Sequence, residues 1–499
     1  MKRKLITTIL CVGMLVNLTG CVRSEKVSAP GTSDDIWIPM DNEEDTEEID
    51  LTEHAVIVYM TIGDAPTNGA TQAMLDQLNR ILKEKANAEL AICYTGWDDY
   101  LTVYDQTLAE ANARVDLVGT SSQWLDAWAH VRKGHFLALS EEMLQTYAPM
   151  TWESVNAEHW EACKYQDQIY LMPEDHYREW SHPGYTYSRK LAEEAGYSDG
   201  IHSWEQLSEY LQYVSRKLPD VSLWKKDEMD AISLCSGWIS SHSDFVPIEG
   251  LGDGRLWGTG MYDPTTIYSP YMTETESFVE FAKLMKQWSE TGVWKEGKVA
   301  LEDADFFCFG EETQNIWADS VTRGAMAVCA SSGHPERALM VYDLLRNDPD
   351  CYRLLNYGIQ GKQWDLNESG QRVRPDSYEK ERDAITTNFW WGRNDDLEID
   401  DEIQSRALIK RRFDRYGQLI REYPYESFRP DLDLVAEKLE KLSAIHAEYM
   451  MQIVLGQYEG TAEDIVAQYQ RSMREAGMDE VTDNLQSQMN LCISAMPAT

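Results

Sequence analysis

The sequence predicts an α/β fold of two lobes with a mainly helical C-terminal region. Three observations predict it. Strand and helix patterns alternate from His54 to Val118, a second αβ region begins near Pro173, and the chain is long. Once a leader and linker are set aside, roughly 450 residues remain, more than one hydrophobic core organises.

The ordered part opens with His54–Thr61, a β-branched apolar run ended by Gly63, Asp64 and Pro66, which reads as a buried strand entering a loop. A helix follows from about Ala70, with Met74, Leu75, Leu78, Ile81 and Leu82 on one stripe. Glu89–Tyr94 is the next strand, then comes a helix carrying Tyr100, Leu101, Tyr104 and Leu108, then the short strand Val115–Val118. This alternation implies right-handed crossovers and a parallel sheet. Ligands of such sheets bind beyond the carboxyl ends of the strands. The loops there read Gly63-Asp64, Gly96-Trp97-Asp98-Asp99 and Thr120-Ser121-Ser122-Gln123-Trp124, each combining small residues with polar or aromatic groups.

In the second region, Gln168–Met172 is a strand that runs into Pro173-Glu174-Asp175-His176, and Tyr185–Ser188 is another. Ser203 and Gln206 have the spacing of a capping box. Gly237–Gly260 reads as a Gly-rich aromatic loop region holding Trp238, Phe245 and Trp257. It gives way to an amphipathic helix over Glu274–Thr291, stopped by Gly292. From Pro335 onward the chain reads as mainly helical, with Pro335 and Pro349 at first-turn positions, Gly358 closing a helix, and further helices over Pro430–Leu455 and Ala462–Ala476.

The N-terminal residues predict the compartment. Lys2, Arg3 and Lys4 precede a short apolar stretch, Leu5–Leu18, as in a signal peptide over 1–20. Leu18-Thr19-Gly20-Cys21 has the form of a bacterial lipobox, so Cys21 is the predicted lipidation site and the outer face of the cell membrane the predicted location. Residues 21–53 form an acidic tether in which seven of the ten residues Asp41–Asp50 are acidic. A segment of this kind stays extended. Forty-five basic against 85 acidic residues leave a formal charge of −40, which argues against a nucleic-acid partner. Seven cysteines remain beyond Cys11 and Cys21, with no C-x-x-C pair, and read as small buried hydrophobes with room for one disulfide and need of none. No metal or cofactor motif is present. The acidic run Asp395, Asp396, Glu398, Asp400, Asp401 and Glu402 lacks the spacing of a calcium loop.

Several linked motifs resemble the extracellular solute-binding lipoproteins of Gram-positive ABC importers, in the sugar-binding branch distantly similar to maltose-binding proteins. Asn356-Tyr357-Gly358-Ile359-Gln360-Gly361-Lys362 is close to a helix-ending phrase of that family, with Gln360 in place of its usual acid. Asn388–Asn394, NFWWGRN, resembles its aromatic segment, and Glu475-Ala476-Gly477-Met478 its C-terminal ending. The resemblance spans nearly all of His54–Cys492. It implies a periplasmic-binding-protein-like fold of type II, with 54–172 and about 322–395 in the first lobe and 173–321 and about 396–499 in the second. It also implies a monomer with a ligand cleft between its lobes that closes on an oligosaccharide and hands it to ABC permease subunits without catalysis. Carried over by position, Asp64 matches an acid after the first strand, Trp124 an aromatic-bearing loop, Glu174 the first crossing, and Trp391 or its neighbour Trp390 a C-terminal aromatic. Trp97 and Asp98 join them on their strand-end loop, and Trp238 and Trp257 join without a family counterpart.

A pyranose has an apolar C–H face and a hydroxyl rim, so flat indoles beside planar polar groups suit it independently of the resemblance. Seventeen tryptophans supply such faces, although Trp160, Trp204, Trp224, Trp288 and Trp294 are assigned to packing. Trp124 has its own packing alternative, since Trp128 lies four residues on. The rival readings are an anchored glycoside hydrolase using Asp64, Asp98, Glu174 or Asp175, the same fold binding a peptide or another non-sugar solute, and a surface adhesin. No nucleophile elbow, zinc-protease helix or phosphate loop supports an enzyme.

Overall fold

The computed structural model describes residues 51–110, 114–174, 184–220, 228–251, 255–293, 304–401 and 414–495. The leader, Cys21, the acidic run 41–50, Asp175, His176, Trp224, Trp294 and Glu402 lie outside the described residues. The first lobe is built on a five-stranded sheet in the order Ala88–Thr95, Ala55–Ile62, Leu117–Thr120, Ala325–Val328, Met172–Pro173. The first three strands are parallel, and Ala325–Val328 runs antiparallel to both of its neighbours. The helix Ala70–Ala86 buries Met74, Leu75, Leu78 and Leu82 on this sheet. Its Asn79 side chain ties it to the strand, donating to Leu90 O at 3.1 Å and accepting from Leu90 N at 2.7 Å. The third strand lies two residues later than its apolar run suggested. The Asp116 carboxylate, buried at that edge, accepts from Val58 N at 2.9 Å and from the Ser332 hydroxyl at 2.6 Å.

A second core gathers residues from 185–317 and 423–489, whereas the first draws on 55–172 and 325–391. Sequence distance is thus no guide to which lobe a segment joins, and the chain passes between the cores three times. In the second lobe Gly184–Ser188 pairs antiparallel with Ala304–Cys308, and Phe245–Pro247, Gly258–Gly260 and Asp263–Tyr268 form a small antiparallel sheet. Helices Trp204–Lys217, Glu228–His242, Thr275–Glu290, Ala436–Val454, Ala462–Glu475 and Met478–Ala495 pack around them. The fold is the two-lobed α/β fold of type II.

Two regions differ from the expectation. Gly237 sits inside the helix Glu228–His242, where a Cβ would collide with the Phe309 ring, so this glycine marks close packing and not a loop. Gly258 and Gly260 likewise belong to a strand. Between Gly358 and the helix at Ala436 the described chain is largely irregular, not helical. Side chains replace the helical ladder there: Gln363 Oε1 accepts from Ile359 N at 2.8 Å, its Nε2 donates to Asp383 O at 3.1 Å, and Trp364 Nε1 donates to Gly358 O at 2.9 Å. Ser203 caps its helix by accepting from Gln206 N, but the Gln206 carboxamide accepts from His202 N, one residue before the cap, so the capping box is only half made. No disulfide joins the seven cysteines among the described residues.

Candidate functional site

Three loops bring four indoles together at the carboxyl ends of the first-lobe strands. Trp97 follows Ala88–Thr95, Trp124 follows Leu117–Thr120, and Trp390 and Trp391 come from the segment 388–391 strapped across the end of Ala55–Ile62. The strap is Asn388. Its carbonyl accepts from the Tyr59 hydroxyl at 2.7 Å and the Thr61 hydroxyl at 2.8 Å, and its carboxamide donates to Ile62 O at 2.9 Å. These bonds hold Asn388 at φ 46°, a left-handed conformation that asparagine tolerates. Three residues on, Trp391 lies directly on the backbone of Gly119, where any Cβ would overlap the indole.

The rings form a stepped row. Trp390 and Trp97 are 6.0 Å apart at 28°, Trp97 and Trp124 6.3 Å at 24°, and Trp124 and Trp391 5.7 Å at 27°. Near-parallel rings at these centroid spacings are displaced sideways, which presents a broad π surface in place of a closed pile. Burial grades along the row: Trp97 is 46% exposed and Trp390 42%, Trp124 is half-buried, and Trp391 is 2% exposed.

Trp124, Trp390 and Trp391 wall a cavity of about 340 Å³ whose other sides mix polar groups with Val321, Gly324 and Phe389. Glu174 comes from the first crossing, Asp319, Ser320 and Arg323 from the second, and Arg393 and Glu398 from the third. Each is held by neighbours. Asp319 pairs with Arg323, and Ser320 donates to Glu426 Oε2 at 2.8 Å. Glu398 accepts from the Tyr352 and Tyr357 hydroxyls, both at 2.6 Å, with Arg393 Nε 3.7 Å away. Burial, and after it the charge of Glu249, raises the Asp319 carboxyl well above the usual carboxylate range, against the opposing pull of Arg323. The cavity therefore offers carboxyl oxygens and guanidinium donors beside an aromatic floor. That combination can hold the hydroxyl rim of a sugar while its C–H face lies on a ring.

The positions chosen from sequence divide. Trp97, Trp124, Trp391 and Glu174 gather in this region. Asp64 is exposed and accepts from Trp97 N at 3.2 Å, which places it as a support for the indole loop, while Asp98 is exposed in that turn. Trp238 and Trp257 need correction. Both lie in the second-lobe core, 7% and 0% exposed, with Nε1 donating to Ser277 O at 3.0 Å and to Thr482 Oγ1 at 2.9 Å, so neither ring has a face for a ligand in this structure. Of the adjacent pair, which the sequence left undecided, Trp390 presents the exposed ring and Trp391 backs it. Trp124 lies in the turn before the helix Ala127–Arg132, not on that helix with Trp128, which packs instead under Arg429 at 3.9 Å. Asp319, Ser320, Arg323, Asn356, Arg393 and Glu398 were not foreseen as lining residues. For Asp319, Ser320 and Arg323 the one signal was the polar stretch Asp319–Arg323 just before the apolar strand Ala325–Val328.

A family model described as a domain of unknown function, DUF3502, matches residues 424–491, the C-terminal helices of the second lobe. Over 363 residues the chain is 23% identical to a carbohydrate ABC transporter substrate-binding protein of Streptococcus pneumoniae serotype 4, a match covering 65% of this chain and 69% of that protein. Among solved structures, the N-glycan transport solute binding protein NgtS of S. pneumoniae superposes with a TM-score of 0.66 at 17% identity, covering 89% of this chain and 100% of the other. Its complex with Man1GlcNAc gives 0.61 at 17% identity, over 88% and 100%. An HMO binding ABC-transporter associated solute binding protein of Bifidobacterium longum infantis gives 0.54 at 11% identity, over 88% and 99%. These likenesses establish the fold.

Proposed function

We propose that this chain is the extracytoplasmic substrate-binding component of a carbohydrate ABC importer, taking an oligosaccharide between its lobes and delivering it to the permease without chemistry. The observation that carries this reading is the exposed, stepped row of indoles walling a polar cavity at the strand ends. The solute-binding proteins that share its fold, one of them solved in complex with Man1GlcNAc and another described as HMO binding, support the ligand class. The ligand-contacting set is Trp390, Trp97 and Trp124 for the sugar face, and Glu174, Asp319, Arg323, Arg393 and Glu398 for the hydroxyls. Leu18-Thr19-Gly20-Cys21 supports anchoring by a diacylglycerol on Cys21, with the acidic segment after it as a tether and the folded part acting as a monomer.

Calorimetric titration of the chain from residue 51 onward with a panel of oligosaccharides, followed by chromatography of each mixture, tests the reading. Saturable binding with the glycan recovered intact is expected. Recovery of shortened glycan would make the protein a hydrolase, and saturable binding of peptides but no glycan would reassign the ligand.

A further inference from the structure

A second cavity of about 480 Å³ opens on Trp124, the residue it shares with the polar cavity. Its walls come from both lobes. Leu101 and Gln123 stand on the first-lobe side, and Leu439, Ser443, Ala444 and Ala447 on the helix Ala436–Val454 stand on the other. The two cavities differ in chemistry. The first is ringed by carboxylates and guanidiniums, whereas the second is mostly methyl and methylene surface, including Leu101 at 51% exposure. It is not wholly apolar, because Gln123 and Ser443 open into it and the Asp126 and Glu440 carboxylates stand at its margin, and Gln123 Nε2 is committed only to a long 3.5 Å contact with Glu249.

Resting on the carbohydrate reading above, we propose that this compartment is a subsite for a sugar unit bearing an acetamido group, contiguous through Trp124 with a hydroxyl-binding subsite in the polar cavity. A purely alkyl group would cover the apolar wall but strand the Gln123 amide and the Ser443 hydroxyl without partners, a loss that buried polar groups make costly. A plain hydroxyl would satisfy those two and leave the leucine and alanine wall facing water. An acetamido group does both: its methyl meets Leu101, Leu439 and Ala444, and its N–H and C=O face Gln123 and Ser443. The small side chains of Ala444 and Ala447 leave room for it.

The test compares glycans that differ only in exchange of one acetamido group for a hydroxyl, titrated into the wild type and into Ala444→Phe, which fills the compartment from an exposed helix position. The wild type is expected to prefer the acetamido member by about tenfold, the worth of one buried methyl and one hydrogen bond. Ala444→Phe is expected to weaken both members and the acetamido member by about tenfold more, which erases that preference. Ser443→Ala is expected to lose part of the preference with unchanged thermal stability. Equal affinity for the two members in the wild type, or an equal loss for both in Ala444→Phe with normal folding, overturns the subsite and leaves the carbohydrate reading standing. Binding of no glycan overturns that reading, and the subsite with it.

Discussion

Each lobe holds a cluster of indoles, and the two clusters use the same residue oppositely. In the second lobe Trp204 and Trp288 lie near-parallel at 6.3 Å and 23°, much like Trp97 and Trp124 in the first. Their N–H groups separate the clusters. Trp204 donates to Ser241 Oγ at 2.8 Å, Trp288 to Ser208 Oγ at 2.8 Å and Trp238 to Ser277 Oγ at 3.0 Å, so that cluster is closed to anything outside the core. In the first-lobe row the buried Trp391 has such a bond, a long 3.4 Å contact with Thr61 Oγ1. Among the described residues no protein acceptor meets Nε1 of Trp97, Trp124 or Trp390. Ring stacking alone therefore does not distinguish a core from a binding surface. An indole whose N–H is satisfied by the protein is structural, and one whose face and N–H are left to solvent is available to a ligand.

Substitutions sharpen this contrast, beginning with the largest effect. Trp288→Ala removes a fully buried ring and its hydrogen bond to the Ser208 hydroxyl, so it is expected to cost about 3–5 kcal/mol of folding stability in urea unfolding, with glycan affinity of the folded fraction unchanged. A loss of affinity without loss of stability would erase the distinction between the clusters. Gly119→Ala acts on the first lobe from beneath. Its methyl displaces Trp391, which backs the row, at an expected cost of about 1–3 kcal/mol and with weaker glycan binding, and tolerance of the change would show that Trp391 does not need its seat on the strand.

The smallest effect is electrostatic and confined to the second lobe. Burial, and after it the nearby Asp244 carboxylate, pushes Glu274 from 4.5 up to about 7. A carboxyl whose folded value is raised stabilises the fold most when protonated, so its contribution is full below pH 4.5 and is lost as pH rises through 7. Glu274→Gln is expected to flatten that stretch of the stability profile and leave glycan affinity unchanged. An identical slope in the variant would show that another group sets it.

Much of the first lobe was legible because its signals are local. The β-branched run at His54–Thr61, the leucine stripe of the helix at Ala70 and the prolines at 335 and 349 each act within a few residues, and the rule that ligands sit at strand ends then pointed to Trp97 and Trp124. Glycine was the ambiguous signal. At 358 it closes a helix, as read, but at 237 it makes room for Phe309, and the two uses look alike without the partner ring in view. The polar half of the site was illegible for a related reason. Asp319, Arg323 and Glu398 reach one cavity only after the chain has crossed between the lobes, and no short-range pattern records that meeting. The choice between Trp390 and Trp391 also turned on a distant residue, since it is Gly119 that admits Trp391 to the interior.

The central claim is that the solvent-facing indoles of the first lobe are the sugar-binding surface, and Trp390→Ala tests it most directly. Calorimetric titration with the glycan that most raises the melting temperature of the wild type, paired with the melting temperature of the ligand-free variant, gives both quantities needed. Affinity is predicted to fall by about 5- to 150-fold, equivalent to about 1–3 kcal/mol, with ligand-free melting shifted by no more than about 2 °C. Wild-type affinity in the variant, or a large fall in ligand-free melting with affinity retained, would contradict the account and return the row to the role its counterpart plays in the second lobe.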